Sequence, residues 1–463
     1  MLMICLSLVA APSVAQTAWT MQQCMQYAVE HNHEVKGFEL ELDNYKANRT
    51  GAIGRFLPAV DANIGAQYNF GRAIDPETNG YTDVSTYYNG YALQATLPVF
   101  DGFSRLHALK AANAGVMMGR ARLRQQQDQT ALNVLQAFTS VVYYEELVKM
   151  SKEKVEETTL LLQQTQVLEA VGRKSAADVA QVEAQKAEAD YELTRQQNLY
   201  ASALLELKKE MGFPVNDSLS TCSLTTESPD SPNSPTPGPS RWGEGSNYPA
   251  ATTAVKHTTP LPPAGGAGGG AVGVAPEAVA RYQMEVAKHE WRQARAVFYP
   301  TLSLSAGLNT TYYHTLHSDV GQPFHTQFKN NMGEYVGATL SIPLFNRLQS
   351  ITSVRKAKNK YRIACENYEQ KQLEIEKLSR EAWQDWQGYR QQTEQMTKKV
   401  KADSIAYRLT RRQFEEGLST AIDLHTTSVQ LLNSKATLLQ CQLMTIVKEQ
   451  LVRYYRGETI WTE

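Results

Sequence analysis

The chain has 463 residues, which is enough for one large core or for two to three domains. Its 46 lysine and arginine residues almost balance its 47 aspartate and glutamate residues, so no bulk charge favours nucleic acid as a partner. A mean hydropathy of −0.42 excludes a polytopic helical membrane protein, and beyond the N-terminus no apolar run reaches the roughly 18 residues of a helical span.

The N-terminus has the pattern of an export signal. Residues 2–11 form an apolar core, and Ser13, Val14 and Ala15 fit a small-x-small cleavage site. The usual positively charged segment is missing, so the alternatives are a start further upstream or a short buried segment. We predict a signal peptide over residues 1–15. The five cysteines have neither a Cys-x-x-Cys nor a zinc-binding spacing, and none follows the cleavage point.

The first half predicts a helix, two strands and two long helices. Apolar residues at helical spacing place a helix over residues 20–54, and alternating side chains predict strands over 59–71 and 86–99. Residues 103–170 contain no proline and few glycines. As one helix they would reach about 100 Å, which is too long for the side of a compact globule and favours a coiled coil. A return helix covers residues 174–212.

A segment rich in proline, glycine, serine and threonine follows at residues 215–275. We predict a flexible linker, because a stable domain would need apolar residues that this segment does not contain.

The second half repeats the order of the first. The predicted elements are a helix over 276–298, strands over 301–314 and 334–345, a long helix over 348–415 and a return helix over 419–455.

Matching motifs indicate an internal duplication. FLPAVDANIGAQY at residues 56–68 recurs as FYPTLSLSAGLNTTY at 298–312, and VGRKSAADVAQ at 171–181 recurs as EGLSTAIDLHT at 416–426. The two repeats are residues 16–214 and 276–463.

All four predicted strands have one apolar and one polar face, and each is long enough for a transmembrane strand of about 9–11 residues. A soluble sheet with one solvated face is the alternative. Export, long polar loops at 72–85 and 315–333, and clustered tyrosines favour the membrane. The tyrosines are Tyr81, Tyr87, Tyr88, Tyr91, Tyr312, Tyr313 and Tyr335.

Four strands cannot close a barrel, because about eight is the practical minimum. An open edge in lipid leaves backbone groups unpaired at a cost of several kcal/mol each. If the strands span a membrane, the chain must therefore assemble with copies of itself. Two chains would give a small filled barrel and three an open lumen; strand geometry leaves both possible.

Together these features resemble the TolC-type outer-membrane efflux proteins. The resemblance rests on Phe-x-Pro before an alternating strand, LPVFDGFSR at residues 97–105, and Gly-x-x-Ser-x-x-Asp at a helix turn, in duplicated order. WTMQQCMQYAVEHNHEVK at residues 19–36 is similar to the start of the family's first helix. The resemblance covers residues 17–213 and 276–460.

The resemblance implies a mainly α fold with membrane β-structure. Long antiparallel helical coiled coils would form an α-barrel, and four β-strands per protomer would contribute to a shared trimeric 12-stranded β-barrel. It implies a passive outer-membrane channel that extends into the periplasm as the exit duct of an efflux or secretion system. The implied partners are outer-membrane lipid, two further copies of the chain, a periplasmic adaptor protein and an inner-membrane pump. No cofactor, metal or nucleic acid is expected.

The resemblance also assigns roles to the two helix turns. Their tips would dock on the adaptor; the tip residues are Gly172, Arg173, Lys174, Ser175, Gly417, Leu418, Ser419 and Thr420. Independently of that role, the glycines suit the positive φ of a helix reversal, and Ser175 and Thr420 suit N-caps. A purely structural role is therefore the alternative.

The pore constriction implied by the resemblance lies beside the second turn. Asp423 matches a family position where one aspartate per protomer narrows the closed tunnel, and Asp178 and Thr426 are further candidates. Three like charges near one axis would repel one another, raise their pKa values and favour cations. Phe414 replaces a family latch residue, so the contacts of the closed state are not implied.

Two other classes of protein compete with a channel. A periplasmic coiled-coil scaffold or adaptor would leave the strands in water and would extract without detergent. A hydrolase of the cell envelope would need a catalytic set, and the sequence has no Ser/His/Asp combination, HExxH motif or P-loop. We therefore expect no enzymatic activity.

Overall fold

A computed structural model describes residues 18–74, 80–83, 85–221, 274–316 and 322–461. The predicted signal peptide, residues 1–15, and residues 222–273 of the predicted linker lie outside the described residues. The chain divides into two compact units. The helical unit combines Met1–Lys36, Gln125–Val274 and Glu374–Glu463, and the sheet unit combines Gly37–Arg124 and Ala275–Leu373.

Eight α-helices occur in the described part of the chain. They are α1 Met21–His31, α2 His33–Gly54, α3 Ser104–Ala170, α4 Ala176–Met211, α5 Ala275–Ala294, α6 Phe324–Asn330, α7 Gln349–Glu415 and α8 Ala421–Tyr455. A short 3₁₀ helix, Arg295–Phe298, follows α5. The two long helices and their return helices have the predicted extents to within about two residues, as is usual at helix ends. None of the described helices has the length and apolar character needed to cross a membrane.

The strands of the sheet unit form one four-stranded antiparallel sheet in the order β1-β4-β5-β6. A separate pair, β2 and β3, lies between β1 and β4 in sequence. The strands are β1 Ala59–Asn69, β2 Arg72–Ile74, β3 Tyr81–Asp83, β4 Thr86–Asp101, β5 Thr301–Thr315 and β6 Gly333–Ser341. The central pair joins β4 of the first repeat to β5 of the second, so both repeats contribute to one sheet.

The predicted continuous helix over residues 20–54 is wrong, because the helix is broken at Asn32. This residue has extended backbone angles and ends α1. Its side-chain amide donates to the carbonyl oxygen of Glu210 at 2.8 Å, and its side-chain oxygen accepts from the backbone N–H of Glu34 at 2.7 Å. The asparagine thus offers the backbone an alternative to helical hydrogen bonds, as short amide side chains do.

The fourth predicted strand ends earlier than expected. It extends to Ser341 rather than to residue 345. Pro343 has no backbone N–H to donate to a ladder, which explains why pairing stops before it. Ile342 and Leu344 therefore continue the alternating sequence pattern without belonging to the strand.

The predicted linker boundary is also too early. Leu219 is buried in the main apolar cluster of the helical unit. The backbone N–H of Trp19 donates to the carbonyl oxygen of Ser220 at 2.9 Å. Residues 215–221 are thus part of the packed helical unit, where the Lys208 ammonium also donates to the carbonyl oxygen of Val215 at 2.9 Å.

The core of the helical unit lies where α1, α3, α4 and α8 meet. Its fully buried side chains include Met25, Leu135, Phe138, Leu207 and Met211. Burying a side chain of this size contributes about 1.5–3 kcal/mol, so the core accounts for much of the stability of this unit.

Candidate functional site

The sheet has one continuous apolar face, named here the apolar face. Directly opposed residues of an antiparallel pair lie on the same side of the sheet. The register pairs Ile64 with Tyr91, Leu93 with Leu308 and Ala306 with Val336, and therefore places these residues on one side. The exposed large residues of this face include Val60, Ile64, Leu93, Leu304, Leu308, Val336 and Leu340.

Several large apolar side chains of this face are each more than half exposed, which sets the face apart from scattered apolar residues on a protein surface. Ile64 is 75% exposed, Leu340 61% and Val336 86%. These residues lie on both edge strands, so the exposed surface extends across the sheet. A contiguous exposed apolar surface of this kind marks a site of contact with another protein or a membrane.

The opposite face of the sheet is polar and carries small side chains. The register aligns Asp61 with Gln94, and Gln94 in turn with Gly307. Thr96 is aligned with Ser305 in the same way. Alternation of an apolar with a polar face is the pattern of a strand between lipid and an aqueous interior.

The two outer strands each have one free edge. Among the described residues, β1 pairs with β4 alone and β6 with β5 alone. Each edge presents unpaired backbone groups that can template pairing with another chain.

Aromatic side chains cluster near the loop end of the sheet, as the tyrosine pattern predicts. The ring centroids of Tyr68 and Tyr87 lie 4.9 Å apart. Sequence reasoning missed α6, whose Phe324 and Phe328 contact Tyr91 with ring centroids at 6.2 and 5.4 Å. The signal was the spacing of these two phenylalanines, which places both on one side of a helix.

The two helix turns of the helical unit have the predicted glycine conformations. Gly172 has φ +75° and Gly417 has φ +80°. The next backbone N–H reaches back to a carbonyl oxygen five residues earlier, from Arg173 to Leu168 at 2.8 Å and from Leu418 to Gln413 at 2.7 Å. These bonds satisfy the otherwise unpaired carbonyl groups at the end of each long helix.

The predicted N-caps are confirmed, and each is a reciprocal capping box. The Ser175 hydroxyl accepts from the backbone N–H of Asp178, and the Asp178 carboxylate accepts from the backbone N–H of Ser175 at 3.0 Å. Thr420 and Asp423 repeat this arrangement. Each box satisfies two N–H groups that a helix start leaves unpaired.

The capping hydrogen bonds also lower the pKa values of the two aspartates that accept them. Hydrogen bonds from the Thr420 hydroxyl and backbone N–H lower the pKa of Asp423, and the Ser419 hydroxyl adds to this at 3.3 Å. The backbone N–H and hydroxyl of Ser175 lower the pKa of Asp178. Both groups therefore carry their charge at neutral pH in the single protomer.

The two turns contact each other inside the helical unit. The Lys174 ammonium lies 4.1 Å from the ring centroid of Phe414, and the Gln185 side-chain amide donates to the carbonyl oxygen of Ala421 at 3.2 Å. Phe414 packs with Val182 in a small buried cluster that also includes Ala421 and Leu424. Sequence reasoning assigned Lys174 to the tip surface but missed its contact with Phe414.

The remaining candidates lie at the surface. Asp423 and Thr426 are exposed, and the Thr426 hydroxyl donates to the carbonyl oxygen of Ile422 at 2.9 Å. Leu418 at the tip of the second turn is 75% exposed, and Arg173 in the first turn is exposed as well. No group of acidic, histidine or cysteine side chains suited to a metal ion occurs among the described residues.

Comparison with known proteins places these features among membrane channels. A sequence profile of the outer membrane efflux protein family matches residues 24–212 and 278–454. No curated protein matches the chain.

Three solved structures illustrate the similarity of fold. The outer membrane protein VceC of Vibrio cholerae is 15% identical, with 95% of this chain and 96% of that chain covered and a TM-score of 0.75. The CmeC outer membrane channel of Campylobacter jejuni is 15% identical, with 94% and 85% covered and a TM-score of 0.75. The MtrE outer membrane channel of Neisseria gonorrhoeae, solved in its open state, is 15% identical, with 94% and 88% covered and a TM-score of 0.71.

Proposed function

The chain belongs to the outer membrane efflux protein family, and from this premise we propose that three copies assemble into one channel. The protein is located in the outer membrane and extends into the periplasm, where it serves as the exit duct of an efflux system. Its family and fold are those of channels. We propose that it catalyses no reaction and that an inner-membrane pump supplies the energy for transport.

The observation that carries the assembly is the exposed apolar face together with its two free edges. In lipid, the unpaired backbone groups of β1 and β6 would each cost several kcal/mol. Pairing β6 of one copy with β1 of the next removes both edges. Three copies of a four-stranded sheet give twelve strands, which exceeds the roughly eight strands of a filled barrel and leaves a lumen.

The polar face of the sheet would line that lumen. Short polar side chains on this face include Ser303 and Ser305, while the ring of Tyr335 lies over Gly307. Hydroxyl groups and exposed backbone attract water, so solutes leaving the cell would pass through an aqueous pore.

We assign the narrowest point of the duct to Asp423, with Asp178 and Thr426 as further lining residues. In a trimer, three Asp423 carboxylates would approach one axis and raise one another's pKa values. The capping bonds to Thr420 act in the opposite direction, because they favour the charged form. The capping bonds thus oppose the mutual repulsion of the ring, and carboxylates that carry their charge there would select for cations.

The two turns form the surface proposed for docking on a periplasmic adaptor. Each turn is rigidly capped and presents exposed side chains, of which Arg173 and Leu418 are the largest. A partner could bury Leu418 in an apolar pocket and place an acidic group beside Arg173. The remaining tip residues proposed for this contact are Gly172, Lys174, Ser175, Gly417, Ser419 and Thr420.

Membrane extraction and conductance measurements test the proposed function. The protein should require detergent for extraction, migrate as a trimer that dissociates only on heating, and conduct ions in planar bilayers. Extraction as a soluble monomer without detergent would instead support a periplasmic scaffold or adaptor.

A further inference from the structure

A basic cavity lies in the sheet unit where the helices enter the sheet. It has a volume of about 260 Å³ and is lined by Gly102, Phe103, His107, Arg292, Arg295 and Tyr299. Gly102 follows β4 directly, and Tyr299 lies two residues before β5. The cavity therefore lies at the first residues beyond the end of the apolar face.

The corner that forms the cavity is tightly packed. A side chain at residue 102 would meet the carbonyl oxygen of Ala296 and the Cβ of Tyr299, each at 2.7 Å. This close approach holds the end of the 3₁₀ helix against the start of α3. Arg295 and His107, which belong to these two elements, are thereby brought to one opening.

The charges around the cavity are positive. Arg292 and Arg295 line it, and the lining contains no aspartate or glutamate to pair with them. No ion pair of either arginine with a carboxylate occurs among the residues that the structure describes. Burial and the positive charges of Lys110 and Arg292 lower the pKa of His107.

Two buried imidazole nitrogens lie behind the cavity, one on the lining residue His107 and one on the neighbouring His289. The rings of His107 and His289 stack with their centroids 6.0 Å apart. Within the described ranges, Nδ1 of His107 and Nδ1 of His289 have no hydrogen-bond partner. Arg292 and Arg295 are exposed, and Arg295 also lies 5.9 Å from the ring centroid of Trp291. Buried polar atoms are nearly always paired, so an unpartnered imidazole nitrogen behind two guanidinium groups that have no carboxylate partner in the described ranges favours an acceptor-rich anion at this opening.

The cavity is small, which limits the size of the anion. Its volume is just below the roughly 300–1,000 Å³ of pockets for drug-sized ligands. A single phosphate group fits the forked donors of arginine, which bind phosphate oxygens in pairs. Half-exposed Phe103 and Tyr299 border the opening and would contact the first carbons attached to such a phosphate.

We propose that this cavity binds the phosphate of an anionic phospholipid in the periplasmic leaflet of the outer membrane. The choice of leaflet rests on the proposed function, in which the apolar face crosses the membrane and the helices lie in the periplasm. Arg292 and Arg295 clamp the phosphate, and His107 donates an N–H to one of its oxygens. Because the lining holds no carboxylate, the site prefers an anionic headgroup over a zwitterionic one.

Calorimetric titration of the full-length protein in non-ionic detergent tests the proposal. The probes are three soluble compounds: dihexanoylphosphatidylglycerol, dihexanoylphosphatidylcholine and inorganic phosphate. The phosphatidylglycerol should bind one site per protomer more tightly than the other two. Replacing both arginines (R292Q/R295Q) should weaken its binding at least about tenfold, since each substitution removes charge-assisted hydrogen bonds.

A matched control removes the same charge elsewhere in the same unit. The double variant R281Q/R355Q should bind the phosphatidylglycerol as the wild type does. Arg281 and Arg355 are exposed, as are Arg292 and Arg295, so neither double variant should impair folding. The single variant R292K retains the charge but loses the forked donor and should show an intermediate loss.

Three results would overturn the assignment. Equal weakening in R281Q/R355Q would mean that binding depends on bulk charge, and equal affinity for phosphatidylcholine would remove the anion preference. Inorganic phosphate bound as tightly as the lipid would identify a free-phosphate site instead. Bilayer conductance of the same samples keeps this test separate from the proposed function, because a conducting channel without lipid binding would refute only the cavity assignment.

Discussion

Asp423 combines two roles at a single residue, since it completes a capping box and is our candidate for the pore constriction. Its side chain is exposed, and its charge is stabilised by the Thr420 hydroxyl at 2.6 Å. A substitution that keeps the cap but removes the charge can therefore separate the two roles. Asparagine does so, because its side-chain oxygen can still accept the capping bond.

The first prediction concerns the variant Asp423→Asn. Three negative charges would be lost from the axis of a trimer, so block by multivalent cations and preference for cations should both fall. Single-channel recording in planar bilayers with and without a trivalent cation measures this change. Asp178→Asn is the comparison, since it makes the same change at the first turn. A larger effect of Asp178→Asn would place the constriction at the other turn.

A second prediction concerns Lys174, whose ammonium lies over the Phe414 ring. Lys174→Gln removes a cation–π contact of about 0.5–2 kcal/mol between the two turns. If this contact holds the closed state, the open probability of the channel should rise. Arg173→Gln is a suitable control, because it removes the adjacent charge; the same increase in that variant would make net charge the cause.

At the scale of single residues, the sequence predicted the contacts that are local in the chain. Ser175 and Thr420 were predicted as N-caps, because a hydroxyl directly before a helix can accept from its first N–H groups. The reciprocal bonds from the backbone to Asp178 and Asp423 were seen only in the structure. The contact of Lys174 with Phe414 was not predictable. Those residues come from different repeats, and no local pattern specifies how the two turns are placed against each other.

Among the structural elements, the two turns depend on glycine for a left-handed backbone. Gly417→Ala should lower the free energy of unfolding by about 1–2 kcal/mol, because a Cβ is disfavoured at φ +80°. Gly388→Ala is the control within α7, where a Cβ would have no atom within 4 Å. That substitution should raise stability by up to about 1 kcal/mol. Thermal unfolding in detergent measures both, and stabilisation by Gly417→Ala would contradict the assigned turn.

The strands give the most direct test of membrane contact. Ile64 lies at the centre of β1 on the apolar face, and Asn63 is its neighbour on the polar face. Ile64→Arg should cost about 2–4 kcal/mol at the middle of a bilayer and reduce the amount of trimer in the outer membrane. Asn63→Arg should still assemble and change only the conductance. Heat-modifiable gel mobility of membrane fractions measures assembly; equal tolerance of both variants would argue against lipid contact.

For the elements, alternation predicted both the strands and their two faces. It did not predict the pairing of β4 with β5, because residues of one strand can match several partners at the same periodicity. Alternation also missed the early end of β6 before Pro343. Helical periodicity missed the break at Asn32, where tertiary hydrogen bonds override an uninterrupted helical pattern.

On the scale of the whole molecule, the two repeats depend on each other. Neither repeat contributes more than two strands to the sheet, and two strands alone are only marginally stable. A chain divided between residues 222 and 273, with both halves exported, should still assemble, because the β4–β5 ladder and the shared helical core oppose the entropy that two separate halves lose on association. Co-purification of the halves as a heat-modifiable trimer measures this. Insertion of the first half by itself would contradict the shared sheet.

The pairing of β4 with β5 has a consequence for biogenesis. Residues 86–101 must wait for residues 301–315 to be synthesised and exported before their ladder can form, and pairings this distant in sequence form slowly. During that interval the apolar hairpin of β1 and β4 has two unpaired strand edges in the periplasm, and exposed edges of this kind are prone to aggregation. A delay in the arrival of the second repeat therefore prolongs the aggregation-prone state of the first.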